Sequence, residues 1–570
     1  METASLSLLA ALAFRGFALQ AAYHPTQADV TLWRQPSNSN TISRDKPGIF
    51  LGLLLVPWLC ITVGRTSSSQ EWYVYGILTA AFSWMAWESS VGNFGTNLHV
   101  VLAGAITVAV TNSLLYAIIW HAIVYGMHYM ARRTFSKVFT HGEWMVVASS
   151  MSLAMCCYLT NAGGTLPKPN HASIAFAGVL SAVITCPIMA YLKPTVLHKL
   201  VSPQQSNPWI NFGLQLPFWF SLPLLGIEML EFSSFKAGSP PLLSSTCELR
   251  FLNVPSWIIL PNSLRWILCF LAEIEVPPTL ASDTSSSILN SLPLIPRYGW
   301  IVYWLVVLAI TLPLSPEPGT QTPSIKLKDD KETNISRSKH TSSTISDSQR
   351  VVLARKWFHF VAVLLFTPVT IAAPQLLSLS YAVALAILIL FESARADLPM
   401  IQQFHERYLD PSKDDVGGHK LVISHMALIV GCAMPLWISE AVLEASGDSS
   451  MFRVRPSSLL LLQLWGVLSL GIGDAMGAIV GVVYGKMHWS GQNPRTMEGS
   501  LAMWVSMMSA CLVLRFTDEG NNVVSSEAFP FLWKCVVTVS IVTLVEAYTV
   551  QIDNLVLPLV GVGIVLLFSR

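Results

Sequence analysis

Long apolar runs separated by short polar breaks cover most of the chain. A helix of about 20 residues crosses a hydrocarbon core about 30 Å thick. By that measure the pattern predicts membrane helices near 48–65, 72–90, 98–126, 142–161, 172–192, 209–229 and 298–315. Two weaker runs lie at 5–22 and 257–274; the second contains Pro261 and Arg265, as a re-entrant or interfacial segment would. The tract Pro316–Arg350 has almost no large apolar side chains and cannot bury enough surface to fold alone. It is expected to be a disordered linker. Seven further spans are predicted beyond it, near 357–374, 376–392, 419–444, 458–482, 499–516, 530–548 and 553–569. The expected fold is all-α, a polytopic integral membrane helical bundle of about 15 transmembrane helices. It divides into an N-terminal multi-span region over 1–315, the linker over 316–350, and a C-terminal membrane domain over 351–570.

Composition agrees. Of the 570 residues, 52% are hydrophobic and 12% charged, against roughly 25% charged in soluble domains, which excludes a soluble fold. A net charge of +1 lacks the basic balance of a nucleic-acid binder, so no nucleic-acid partner is expected. The nine cysteines include no CxxC pair and sit mostly inside apolar stretches, where they read as small packing residues. Ser5–Leu19 is broken by Arg15 and has no charged segment ahead of it, so no cleaved signal peptide is expected.

Loop charge orients the bundle, because Lys and Arg in short loops stay on the cytosolic side. The linker carries Lys326, Lys328, Lys331, Arg337, Lys339 and Arg350, followed by Arg355 and Lys356, which places it in the cytosol. Counting spans onward returns loops 393–418 and 483–498 to the same face and sends 445–457 and 517–529 to the lumen. Segment 517–529 is acidic and lacks Lys and Arg, whereas Arg453 and Arg455 run against the rule. On this topology Arg355 to His359, the 392–420 region, Asp474 to Glu498 and Glu546 to Asn554 share one membrane face.

Those segments hold the chemistry. Ionisable residues inside a membrane domain are costly and default to a functional reading. Asp474 lies in a glycine-spaced stretch with Gly471, Gly473, Gly477, Gly481 and Gly485. Close helix packing accounts for such glycines, but not for Asp474, which suits a metal ion held beside backbone that phosphate oxygens can approach. The stretch is neither a P-loop nor a dinucleotide fingerprint. The next loop adds Lys486, Arg495, Thr496 and Glu498. A helix start with Thr496 as cap and Glu498 in its first turn explains part of this, and the same amide-rich start beside Arg495 holds phosphate. Glu546, Thr549 and Asp553 recur at spacings that place them on one helix face, where a buried helix must turn them toward partners rather than lipid. His359 and His425 read more readily as hydrogen-bonded bundle histidines, and Lys356 and Lys420 equally as snorkelling cations.

Over Arg355–Phe568 the chain resembles the polyprenol kinase family of integral membrane, CTP-dependent lipid kinases, most closely its eukaryotic members that act on dolichol. The residues that carry the resemblance are RKWFHF at Arg355–Phe360, FESAR at Phe391–Arg395, GHKLVISHMALIVGCAMPLW at Gly418–Trp437, GIGDAMGAIVG at Gly471–Gly481, RTMEGS at Arg495–Ser500 and EAYTVQIDNLVLP at Glu546–Pro558. Two departures stand out: Arg495 occupies a position where the family carries lysine, and the loop before it is short. Arginine still binds phosphate bidentately.

The resemblance implies phosphorylation of dolichol by CTP at the cytosolic face of the endoplasmic reticulum membrane, yielding dolichyl phosphate for protein glycosylation. The partners it implies are dolichol, CTP and the lipid bilayer, with Mg2+ or another divalent cation as cofactor. The expected catalytic residues are Asp474, Glu498, Glu546 and Asp553, with Asp474 and Asp553 at the metal. The expected nucleotide-binding residues are Gly473, Gly477, Gly481, Lys486, Arg495 and Thr496. Glu498 and Glu546 both qualify to orient the dolichol hydroxyl or take its proton. Rival readings are a membrane cytidylyltransferase making a CDP-lipid, a kinase of another prenyl alcohol and, more remotely, a secondary transporter.

Overall fold

The computed structural model describes residues 39–67, 69–90, 141–161, 268, 270–274, 295–316, 347–395, 424–445, 456–489, 495–519, 528–548 and 553–568. Among them the repeating structure is entirely helical, with two isolated antiparallel bridges and no strand. In chain order the helices are α1 (Ser39–Ser67), α2 (Gln70–Ser90), α3 (His141–Asn161), α4 (Arg297–Thr311), α5 (Asp347–Ala372), α6 (Pro374–Arg395), α7 (Ser424–Ala445) and α8 (Pro456–Gly466). A π-helical segment, Val467–Asp474, continues α8 into α9 (Ala475–Tyr484), and α10 (Met497–Glu519), α11 (Ala528–Tyr548) and α12 (Asp553–Leu567) follow.

Among the described residues six helical stretches are long and apolar enough to cross a membrane: Phe50–Ser67, Val352–Ala372, His425–Leu443, Ser458–Tyr484, Met497–Arg515 and Pro530–Tyr548. Arg297–Thr311, Pro374–Ile389 and Asp553–Leu567 are shorter apolar helices. In a bilayer each backbone amide must be satisfied within its own segment, which is why uninterrupted apolar runs become helices. The predicted spans at 5–22, 98–126, 172–192 and 209–229 lie outside the described residues, as do most of 257–274 and most of the linker. The last four residues of the polar tract already belong to α5.

The helices pack where small residues remove bulk. A Cβ on Gly431 of α7 would lie 1.8 Å from the Asn554 carbonyl oxygen of α12, and one on Gly561 would lie 1.6 Å from the Trp465 indole nitrogen of α8. Such contacts drive association among apolar helices, since lipid tails are as apolar as leucine. One large cluster joins α1 and α3 to α7, α8 and α10 to α12, with Leu53, Met145, Met434, Trp465, Met507 and Leu557 fully or almost fully buried. A second joins α4 to α5, α6 and α7. The described helices of the N-terminal half therefore rest directly on those of the C-terminal half: Trp58 of α1 faces Gly563 of α12, and Thr66 donates to the Leu566 carbonyl at 3.4 Å. From α4, Tyr303 and Trp304 donate to the Leu364 and Leu365 carbonyls of α5.

Candidate active site

The π segment ends at Asp474. Wider π turns recur at functional sites because they change which face a residue presents. Gly471 and Gly473 let neighbours crowd this one: added Cβ atoms would stand 2.4 Å from Val363 of α5 and 2.6 Å from Met507 of α10. Asp474 is thus held between two helices, its side chain only 6% exposed. Its carboxylate pairs with the Lys356 ammonium of α5 and lies 3.3 Å from Nδ1 of His359, one turn further along. The same Nδ1 is 3.0 Å from the Leu470 carbonyl. Both neighbours are acceptors, so Nδ1 carries the proton.

Beside this group stands a second. Arg495, just ahead of α10, places Nη1 at 2.7 Å from Glu546 near the end of α11 and Nη2 on Asp553 at the start of α12. A planar guanidinium can serve two carboxylates at once, which an ammonium does less well. Burial alone would lower the Arg495 pKa, but attraction from Asp553, then Glu546 and Asp474, more than offsets this and holds it above its ordinary value. Three carboxylates, Asp474, Glu546 and Asp553, share this end of the bundle with two cations, Lys356 and Arg495. Desolvating so many charges costs several kcal/mol per ion. A cluster of this kind in a membrane domain is a functional-site signature.

Around it a short hairpin links α9 to α10. His488 bridges Thr496, Met497 N–H donates to the Met487 carbonyl at 2.7 Å, and Trp489 N–H donates to the Arg495 carbonyl at 3.3 Å. Thr496 caps α10, its hydroxyl accepting the Gly499 N–H at 3.2 Å. Glu498 accepts the backbone N–H groups of Lys486 and Met487, each at 3.1 Å from Oε1. Lys486 itself is exposed. The Trp489 indole donates to Ser500 at 2.9 Å, and its ring meets Tyr548 of α11.

The sequence-predicted residues Asp474, Arg495, Glu546 and Asp553 come together. Gly477 and Gly481 serve the packing of α9 on α10, where added Cβ atoms would meet Gly499 and Met503, and Thr496, at 3.0–3.3 Å. Glu498 is engaged with its own loop. The residue that sequence reasoning undervalued is Lys356, whose ammonium is paired inside the bundle instead of reaching outward; its spacing of three from His359 was the available signal. His425 sits at the exposed start of α7, while Thr549 and Lys420 lie outside the described residues.

Among the described residues no three His, Cys, Asp or Glu side chains form a metal-holding group. Magnesium, however, keeps several waters and takes one or two carboxylates plus phosphate oxygens. Asp553 meets that demand, because its Oδ1 is buried with no hydrogen-bond partner while Oδ2 faces Arg495.

A bundle of membrane-length helices with a buried cluster of paired cations and carboxylates at one end defines an integral membrane protein with a polar site. Its relatives narrow the class. The chain is 35% identical over 220 residues to the dolichol kinase EVAN of Arabidopsis thaliana, covering 38% of this chain and 36% of that one. It is 30% identical over 223 residues to the dolichol kinase of Homo sapiens, covering 39% of each. To the dolichol kinase sec59 of Schizosaccharomyces pombe it is 34% identical over 210 residues, 36% of this chain and 37% of that one. The matched stretch spans well under half the length of these relatives. No family model and no solved structure matches the chain. Over this stretch the chain is thus similar to dolichol kinases of a plant, an animal and a yeast.

Proposed function

We propose that this chain transfers the γ-phosphate of CTP to the terminal hydroxyl of dolichol, at the cytosolic face of the endoplasmic reticulum membrane, giving dolichyl phosphate for protein glycosylation and releasing CDP. The observation that carries the reading is the gathering of Lys356, Asp474, Arg495, Glu546 and Asp553 at one end of an apolar bundle, in a chain whose relatives are dolichol kinases. A polyisoprenoid alcohol stays in the bilayer with its hydroxyl at the edge, and a nucleotide comes from water. A charged site at the boundary is where they can meet. The loop-charge rule favours the cytosolic side, and hydropathy favours a chain of about 15 crossing helices.

Phosphoryl transfer asks for in-line positioning and charge neutralisation more than covalent help. The hydroxyl oxygen bonds to the γ-phosphorus as the bond to the β-phosphate bridging oxygen breaks, and CDP leaves. Arg495, Lys356 and Lys486 supply positive charge to the phosphates, with the Thr496 hydroxyl as a further donor. Gly473, Gly477 and Gly481 let the π segment and α9 pack closely on α10, which holds Thr496 and Arg495 beside them for the nucleotide. Glu546 and Glu498 are the carboxylates available to accept the hydroxyl proton. Magnesium, when bound, would be held by Asp553 with Asp474 as the second carboxylate, and would neutralise charge developing on the phosphate oxygens. Asp474 meanwhile fixes Lys356 and His359.

The rival cytidylyltransferase differs in its products. With free dolichol and CTP as the sole substrates, the reading expects CDP and no pyrophosphate. Pyrophosphate release dependent on a lipid phosphate would assign the site to CDP-lipid synthesis.

A further inference from the structure

We infer that Glu498 is a positioning residue, the staple that holds the hairpin carrying Arg495, and takes no part in proton transfer. The inference rests on the kinase reading of this site and resolves the choice that reading leaves between two carboxylates. It starts from where the oxygens of Glu498 go. Oε1 accepts the N–H groups of both Lys486 and Met487 at 3.1 Å, and Oε2 lies 3.2 Å from the Met487 N–H. These donors stand 12 and 11 residues before it, at the exit of α9. At that exit the N–H groups have left the helix ladder, so without Glu498 they would rely on water.

Other bonds tie the two arms of this hairpin among the described residues. Met497 donates to Met487 and Trp489 to Arg495 along the backbone, and the Trp489 indole anchors to Ser500 of α10. Glu498 fastens the α9 side of the loop to the first turn of α10. Arg495 leaves from the opposite arm, three residues before Glu498, and from there spans Glu546 and Asp553. A clamp at Glu498 therefore sets where α9 ends relative to the arginine that bridges α11 and α12. A carboxylate already accepting two amides is also a poor proton acceptor, because each bond stabilises its charged form. Glu546 makes no such backbone bond among those described and faces Arg495 beside Asp553. It is left as the carboxylate for the hydroxyl.

Glutamine separates the two roles, because its amide oxygen can take the place of Oε1 and accept both N–H groups while being useless as a base. The full chain in lipid nanodiscs, unmodified and with Glu498→Gln or Glu498→Ala, is followed by amide hydrogen exchange at Lys486 and Met487 and by turnover of dolichol with CTP. Exchange at both amides is expected to stay slow in the parent and in Glu498→Gln and to quicken about tenfold or more in Glu498→Ala, as the loss of bonds to a charged acceptor implies. Turnover in Glu498→Gln is expected to fall by less than about tenfold, whereas a lost general base costs about 100-fold or more. In Glu498→Ala the loss appears chiefly as a raised KM for CTP. Equal exchange in the parent and Glu498→Ala overturns the staple. A loss of about 100-fold or more in Glu498→Gln with both amides still protected overturns it too and restores Glu498 as a base. Exchange needs no catalysis, so a chain inactive toward dolichol would remove the kinase reading while the exchange arm still decides the staple.

Discussion

Lys356 and Asp474 illustrate what a buried ion pair does at the scale of single residues. Neither side chain is more than 14% exposed, so removing one partner strands the other in a low-dielectric setting at a cost of about 3–5 kcal/mol. Asp474→Asn is therefore expected both to lower turnover by about 100-fold or more and to lower the thermal midpoint of the detergent-solubilised protein. Adding Lys356→Met to Asp474→Asn should restore the midpoint and leave turnover absent. If the double variant turns over normally, the pair is structural only. Arg495 calls for a different test, because its two nitrogens serve two carboxylates. Arg495→Lys keeps the charge but loses the fork. It should retain measurable turnover with a raised KM for CTP, and Arg495→Met should retain none. Near-parental kinetics in Arg495→Met would remove this residue from the phosphate site.

The acidic members of the cluster were legible in the sequence because carboxylates inside apolar runs are costly, although Asp553, close to a span boundary, also fitted a solvated loop. Lys356 was not, since a cation at the end of a span also orients the helix and snorkels. Only the packing of α5 on the π segment shows that it turns inward to Asp474.

At the scale of elements, most helix positions followed from hydropathy, and the boundaries moved by a few residues. The π segment was invisible in that pattern. An extra residue per turn depends on how α5 and α10 press on Gly471 and Gly473, which no local propensity encodes. Glycine spacing was read as backbone approach to a ligand and, equally, as helix packing; the Cβ geometry supports the packing at Gly477 and Gly481. The sharpest case lies at α12, whose first residue is Asp553. A methyl group on Gly561 would fall inside the Trp465 ring, whose rigid indole has no flexible end to yield. Gly561→Ala is thus expected to cost about 1–3 kcal/mol through overpacking, read as a lower unfolding midpoint. An unchanged midpoint would contradict close packing of α8 on α12 at this position.

For the whole molecule, the division into halves at the polar linker is a statement about sequence, and the packing crosses it. Helices α1 and α3 share a core with α7, α8 and α12, and Trp58 covers Gly563 on the helix that begins with Asp553. Hydropathy could not reveal this, because a lipid-facing helix and one packed on a neighbour look alike in composition. Trp58→Ala, far from the charged cluster in sequence, should open a cavity against α12 and lower stability by about 3 kcal/mol. Residual dolichol turnover after graded heating would report it, and heat inactivation identical to the parent would place α1 outside the catalytic unit.

The central claim is that the charged end of this bundle moves a phosphate from CTP to a lipid alcohol. Membranes containing the chain, or its Asp474→Asn variant, are incubated with dolichol and γ-labelled CTP or γ-labelled ATP, with and without magnesium. The account predicts labelled dolichyl phosphate from the parent chain, preferentially from CTP, dependent on magnesium and missing in the variant. Folded parent protein that labels no lipid from either nucleotide would contradict it.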